Sequence, residues 1–361
     1  LEKNRKIEVD VLVIGQGLAG TLLTHFLQQA GKSVHVIDDN YPRAATKVAA
    51  GIINPVTGRR YVKSWSIDKL LPFARETYQQ LERQLDVSIY HPQQVLRALF
   101  NQREENDWQI RAYDPAYQAY IRPGEIVDTG NYSHYTHPAF AYGEVHGGAR
   151  VDIGKLVGRY RSYLAETGRI TTEFFDHAAL RITGEGIQYQ MITARTLVFC
   201  EGAKAKTNPY FSDLPYEGNK GEAVIVNIPE AGFRKILKQG IFIVPLQENR
   251  YWVGSTSNNH HTDDLPSQEG RSYLVEKLSE LLSTDFEIVS HEAAIRPTIK
   301  DRRPLLGRHP EYPQLYLFTG LGTKGTSLGP YWADQLVKVM FSEQKMDPAV
   351  DIDRFQRKTS K

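Results

Sequence analysis

The sequence predicts a two-domain α/β protein, and three observations carry that expectation. A strand, a glycine-rich turn, a helix and a second strand succeed one another between Val9 and Asp39. Another strand, glycine-rich turn and helix close the chain from about Leu315, and between the two units strand patterns separated by turns dominate. At 361 residues the chain is long enough to bury two cores.

The opening unit is the most informative. The apolar run Val11, Leu12, Val13, Ile14 ends in Gly15, Gly17 and Gly20; Leu22, Leu23, Phe26, Leu27 and Ala30 follow at helical spacing, with Gly31 as the stop. Gly15 permits a sharp turn, Gly17 lets the backbone approach a pyrophosphate, and Gly20 lets the helix pack closely on the strand. The unpaired N–H groups of the helix start, at Leu18 and Ala19, suit phosphate, as does the positive end of the helix dipole. The next strand, Val34 to Ile37, ends in Asp38 and Asp39. Asp38, first beyond the apolar run, is the expected acceptor for adenosine ribose hydroxyls, with Asp39 as the fallback. This unit predicts a Rossmann-like dinucleotide site without deciding between FAD and NAD.

Composition narrows the class. Hydrophobic and charged shares of 41% and 24% are those of an ordinary globular chain, and no apolar run approaches the roughly 20 residues of a membrane span. One cysteine, Cys200, excludes an internal disulfide, a cysteine metal cluster and the paired thiols of disulfide reductases, and makes a cytoplasmic location the expectation. No metal site is expected: His134 and His137 lack ligands at metal spacing and are expected at the surface, and His260 and His261 are expected to be solvated in a polar loop. A net charge of +2 demands no nucleic-acid partner. Leu1 to Lys6 carry no signal-peptide pattern, and a start at Leu rather than Met leaves room for a removed upstream segment.

Further along, Tyr41 to Trp65 reads as a loop of small residues and glycines beginning where a bound nucleotide would lie. Ile67, Leu70, Leu71, Ala74, Tyr78 and Leu81 form one face of a helix over about 66–85. Residues 87–142 lack a clean period and are expected to be sheet and irregular loop rich in half-buried Tyr. A capped helix spans Asp152 to Thr167, strands lead to Thr196–Cys200, and a new sheet begins near Pro215. A helix over about 267–282, a strand over 288–295, and a final helix over about 331–341 complete the chain. The expected division is a first domain from 1–84, 142–214 and 292–361, and a second from 85–141 and 215–291.

At this level of detail the chain resembles the D-amino-acid oxidase and glycine oxidase group of FAD-dependent oxidoreductases. Ala45-Thr46-Lys47-Val48-Ala49-Ala50-Gly51-Ile52 resembles that group's segment around the flavin diphosphate and ring, and Phe199-Cys200-Glu201-Gly202 its second glycine contact. Ile295-Arg296-Pro297 through Arg308, then Leu315 to Pro330, is similar to its C-terminal pattern nearly throughout. The resemblance runs from residue 9 to about 340 and is weak between 87 and 140. It implies a Rossmann-like FAD domain with a parallel sheet and β-meander, and an α+β substrate domain on a mainly antiparallel sheet. The FAD is expected to be noncovalent, because Cys200 lies away from where sarcosine oxidases attach flavin.

The resemblance also implies roles. Ala45, Thr46, Ala49, Ala50, Gly51 and Gly202 would contact FAD. Gly320, Gly322, Thr323, Lys324, Gly325 and Thr326 would present backbone donors at the flavin's pyrimidine end, where negative charge develops on reduction. Lys324 is expected to add a charge there, or to assist electron transfer to dioxygen, or to face solvent. Arg296 matches the residue that holds the substrate carboxylate in bidentate fashion, with an ordinary interdomain ion pair as the alternative. Phe242 falls where relatives carry a cavity-lining Tyr, and Ile52 is expected beside the substrate. The implied reaction removes hydride from the carbon beside an amine, giving an imine that water hydrolyses, with dioxygen as acceptor. Two alternatives stand beside it: an oxidoreductase acting on a tRNA carboxymethylaminomethyl group, which Arg59, Arg60 and Lys63 would permit, and a flavin-binding scaffold without turnover.

Overall fold

The computed structural model describes residues 6–356. Positions 1–5, most of the segment expected to lack a signal pattern, and 357–361 lie outside the described residues.

The N-terminal sheet is Rossmann-like because five of its strands are joined by four parallel pairings. Ile170–Thr171, Val34–Ile37, Ile7–Ile14, Ile192–Phe199 and Leu315–Thr319 lie side by side, all parallel. The strands Leu180–Ile182 and Ile187–Tyr189 form the expected meander, antiparallel to the start of Ile192–Phe199. Side-chain alternation divides the first strand: Val11 and Val13 face one core with the helices Leu18–Gln29, Ile67–Leu85, Ile153–Glu166 and Gly325–Phe341, whereas Leu12 and Ile14 face the meander side. All four of those strand residues are almost completely buried.

The second sheet is mixed but mainly antiparallel. Its order is Glu287–Arg296, Asn219–Asn227, Arg250–Gly254, Ile241–Pro245, Ile236–Gln239, Val95–Leu99, Ala141–Val145, with one parallel pairing, Ile236–Gln239 on Val95–Leu99. One face, through Val224, Val226, Leu237, Ile243 and Val253, packs on the helix Gln268–Leu281, whose N-terminus is capped by Ser267. The other face carries Arg296, Gly221, Gly254, Phe242, Lys238 and Arg97, which the pairing registers set on one side. Ala141–Val145 and Glu287–Arg296, which straddle the expected boundaries at 141/142 and 291/292, both belong to this second sheet.

Two elements depart from the sequence reading. Residues 102–113, expected as sheet or loop, form a helix whose N-cap Asn101 accepts the Glu104 amide at 3.0 Å. Only Trp108 and Ala112 of it are buried, so its apolar stripe is too thin to register as a period. The final helix begins at Gly325, six residues before the expected start, and runs through Pro330. Its glycines serve packing: a Cβ at Gly329 would lie 2.7 Å from Leu22 Cδ1, and one at Gly325 3.1 Å from Leu18 Cδ2. Small residues let this helix settle on Leu18–Gln29, which outweighs their poor helix propensity.

Candidate functional site

Between the two sheets lies a cavity of about 1340 Å³. One end is made largely of backbone. Gly15 turns at φ +98, Gly20 seats the helix against the turn, and Gly17 is the N-cap without a side-chain capping bond. The Gly15 amide donates to Ile37 O at 2.8 Å, and the Leu18 amide to Thr46 Oγ1 at 3.2 Å. The short helix Ala45–Val48 therefore closes over the start of the first helix. Gly51 ends this wrap at φ +73, and its missing Cβ leaves room for Val151 O, which would otherwise stand at 1.8 Å.

Nearly every residue expected to touch the dinucleotide lines this cavity: Gly15, Gly17, Leu18, Ala19, Asp38, Asp39, Ala45, Thr46, Ala49, Ala50, Gly51, Gly202, Gly322, Thr323, Lys324, Gly325 and Thr326; Ile52, expected beside the substrate, lines it too. Gly20, expected to pack helix on strand and grouped with the cofactor contacts, and Gly320, expected at the flavin's pyrimidine end, are not among the residues lining it. A Cβ at Gly20 would stand 1.8 Å from Gly15 O, and one at Gly320 2.7 Å from Ile299 Cγ1, so both glycines serve packing behind the wall.

Asp38 is held by its own chain: Oδ2 accepts the Gln16 amide at 2.8 Å, and Oδ1 accepts the Asn40 amide at 2.8 Å and Arg161 Nη1 at 2.6 Å. A carboxylate offers about four acceptor sites, so about one stays open. Asp39 accepts Lys204 Nζ at 2.7 Å and the Tyr41 amide at 3.2 Å. Cys200 is buried, and burial pushes its thiol pKa well up, so it stays protonated.

Lys324 points inward: its Nζ donates to Ser64 Oγ at 3.2 Å and to Thr57 Oγ1 at 3.4 Å, which removes the solvent-facing alternative. Burial, then the nearby Arg303, lowers its pKa. Thr326 Oγ1 donates to Ile52 O at 2.9 Å, tying the final helix to the wrapping segment.

The other end is made of side chains. Arg296 closes its strand opposite Asn219; Nη1 donates to Asn219 Oδ1, Nη2 to Ser255 Oγ at 2.7 Å, and both nitrogens reach Thr256 O at 3.3–3.4 Å. Among the described residues it has no carboxylate partner, so the interdomain ion pair is not formed. Burial alone lowers its pKa, since charge is costly there. Room for the guanidinium comes from Gly221, where a Cβ would meet Nη2 at 1.8 Å. Phe242 and Trp252 line the same end, and Trp252 Nε1 donates to Val48 O at 2.9 Å, joining the second sheet to the wrapping segment.

Sequence reading missed Arg97, Lys238, Trp252, Gly221 and Asn219 here. The available signal was the charged residue inside each of Val95–Leu99 and Ile236–Gln239, apolar strands whose alternation sends that residue away from the core. The basic run divides: Arg59 lines the cavity, Arg60 is exposed, and Lys63 pairs with Asp68. His134 and His137 are exposed, but His261 is half-buried against Gly218 rather than solvated. No helix of the described residues is long and apolar enough to cross a membrane.

The residues present fit a flavin dinucleotide: an uncapped helix start at Gly17, a wrapping segment, an acidic group beyond the second strand, and a second glycine turn share one cavity. Comparisons with known proteins agree. The model of a family described as FAD dependent oxidoreductase, DAO, matches residues 10–338. Glycine oxidase of Pseudomonas aeruginosa is 24% identical, over 94% of this chain and 97% of its own. The crystal structure of glycine oxidase from Geobacillus kaustophilus shares the fold at TM-score 0.78 and 21% identity, covering 95% of this chain and 97% of that one. Iminodiacetate oxidase from Chelativorans does so at TM-score 0.77 and 20% identity, covering 94% and 99%.

Proposed function

The chain is a member of the DAO family of FAD-dependent oxidoreductases, and from that premise we propose that it oxidises a small amino acid or N-alkylglycine at the carbon beside the amine. One observation carries this reading. The Arg296 guanidinium faces the cavity and is held only by the neutral acceptors Asn219, Ser255 and Thr256, leaving its charge for a substrate carboxylate.

FAD, when bound, supplies the hydride acceptor, with dioxygen proposed as the final oxidant. Gly15, Gly17, Leu18, Ala19 and Thr46 would hold its diphosphate, Asp38 its ribose, and the turn from Gly322 to Thr326 its ring. Arg296 would accept the substrate carboxylate and fix the neighbouring carbon, while Phe242 and Trp252 supply apolar walls that exclude water. Lys324 and the final helix start would stabilise negative charge developing beside them. Loss of hydride from carbon and of the amine proton leaves an imine, which water hydrolyses to a carbonyl and a free amine.

The acidic groups of the wall that flank Gly221 and Gly202 are engaged elsewhere. Glu222 accepts both Ser267 donors and pairs with His291, and Glu201 pairs with His177 and accepts from Asn208. The substrate amine therefore reaches its neutral form through solvent, and its ionisation governs the pH profile.

The test is an anaerobic absorbance titration of FAD-loaded protein with glycine, sarcosine, D-amino acids and a carboxymethylaminomethyl nucleoside. Bleaching of the flavin band by a small amino acid is expected. Bleaching by the nucleoside alone moves the substrate to RNA, and no bleaching by any amine removes the oxidation reading.

A further inference from the structure

The substrate end carries more positive charge than one carboxylate requires. Arg97 and Lys238 stand opposite each other in the one parallel pairing of the second sheet, on the face that carries Arg296 and Phe242. Like charges directly opposite on neighbouring strands repel, so such a pair weakens the sheet unless something else offsets it. Neither residue forms an ion pair among the described residues. Arg97 lies against the Tyr61 ring, 5.5 Å from its centre, and its buried Nε has no hydrogen-bond partner. Lys238 Nζ sits 4.5 Å above the Phe242 ring and donates to Gly240 O.

Beyond Arg296, the other charged groups lining this end are Arg59, Glu104 and Glu222, the last turned to Ser267 and His291. Glu104 accepts Tyr61 Oη at 3.3 Å and the Phe100 amide at 3.1 Å, both on Oε2, and forms no ion pair with either cation among the described residues. Burial, then Arg97, holds Lys238 down to about 8, so near neutral pH it is largely charged and loses that charge in mild alkali.

We propose that the cavity accepts an amine with two anionic groups, one carboxylate on Arg296 and a second anion on the Arg97–Lys238 pair. The proposal rests on the oxidation reading for its amine, but the anion site stands on these residues alone. Sheet geometry sets the span. Arg296 lies over Gly221, and Lys238 Nζ lies between the Phe242 ring and the Gly240 carbonyl, two strand spacings away and up to one residue pair along, which is roughly 10–12 Å. Subtracting about 3 Å for a charge-assisted contact at each end leaves about 4–6 Å between the two anions. A glutarate- or adipate-sized separation meets that; a succinate-sized one lies at its lower limit.

Amine-free diacids test this without substrate ionisation or turnover. Succinate, glutarate, adipate and the monoacid valerate are titrated into FAD-loaded protein, and dissociation constants are read from the shift of the flavin band and from tryptophan fluorescence. The expected result is adipate or glutarate binding at least about tenfold more tightly than valerate at pH 7, with succinate between. That advantage shrinks as pH rises through about 8, where Lys238 deprotonates, and a remainder persists on Arg97. In K238M it falls to that same remainder at pH 7, in R97M it falls likewise, and in K238R it is retained across this pH range.

Equal affinity for adipate and valerate in the unmodified protein overturns the proposal, as does an advantage that K238M and R97M leave intact. Displacement of adipate by tRNA with steep salt dependence overturns the small-molecule occupant in favour of RNA. If no amine bleaches the flavin while the diacid advantage and its fall in K238M persist, the oxidation reading fails and the second anion site stands.

Discussion

The two ends of the cavity are built from different materials. At the dinucleotide end the chain approaches itself backbone to backbone: Gly20 on Gly15 O, Gly51 on Val151 O. At the substrate end side chains from several strands converge, and the closest approach is Gly221 under the tip of Arg296. Gly20 and Gly221 each leave 1.8 Å between a notional Cβ and its nearest neighbour, yet one neighbour is a carbonyl and the other a guanidinium nitrogen. Equal overlap therefore has unequal consequences, because a side-chain tip moves aside and a packed backbone does not.

The largest effect is expected from Gly20→Ala. The turn and helix must separate, at a cost on the order of 3 kcal/mol or more, and the protein loses FAD. A lowered melting temperature with depleted flavin checks this; a protein that melts normally and retains FAD would break the comparison.

Next comes Arg296→Met. Removing a charge-assisted bidentate contact costs about 3 kcal/mol, a loss of ~100-fold in kcat/KM, with flavin content unchanged. Loss of flavin along with activity would show that the two ends are not separable.

The ends should also differ in the direction of their pH sensitivity. His35, on the strand Val34–Ile37, is 3% exposed with Nε2 2.8 Å from Thr171 Oγ1, and burial lowers its pKa from 6.5 to about 4. Its neutral form is present in both folded and unfolded chains above pH 6.5. As pH falls from there to about 4 the unfolded chain takes up the proton and the folded chain does not, so stability is lost across that window, by about 3 kcal/mol. His25, also lowered by burial, adds in the same direction. Urea midpoints across this range should fall in the unmodified protein and fall less in His35→Asn. The substrate end weakens in alkali instead, as Lys238 discharges.

The smallest effect is Gly221→Ala. The new methyl displaces the Arg296 tip, so substrate affinity drops about tenfold while the melting temperature changes little. An unfolded Gly221→Ala would mean that the substrate end is as rigid as the other.

This contrast also explains what was legible. The strand, glycine turn and helix of residues 9–39 could be read directly because every requirement in it is local: a turn needs glycine, a helix start needs open amides, a strand end needs an acid. The closing unit was legible in kind but not in extent. Gly325 and Gly329 look like helix breakers until Leu18 and Leu22 are set against them. The helix Gln102–Tyr113 was invisible because it buries only Trp108 and Ala112. Arg296 was found through family resemblance, whereas Lys238 and Arg97 resembled nothing in particular.

The sequence alone determined the α/β class, the dinucleotide end and the absence of an internal disulfide, since each follows from residues close together in the chain or from a count. Tertiary structure alone decided the substrate end. Arg296, Gly221, Phe242, Lys238 and Arg97 come from five strands. What makes them a site is strand order and register, which set side chains up to 199 positions apart on one face. Pairing between distant strands is specified by packing over the whole sheet, and no single segment encodes it.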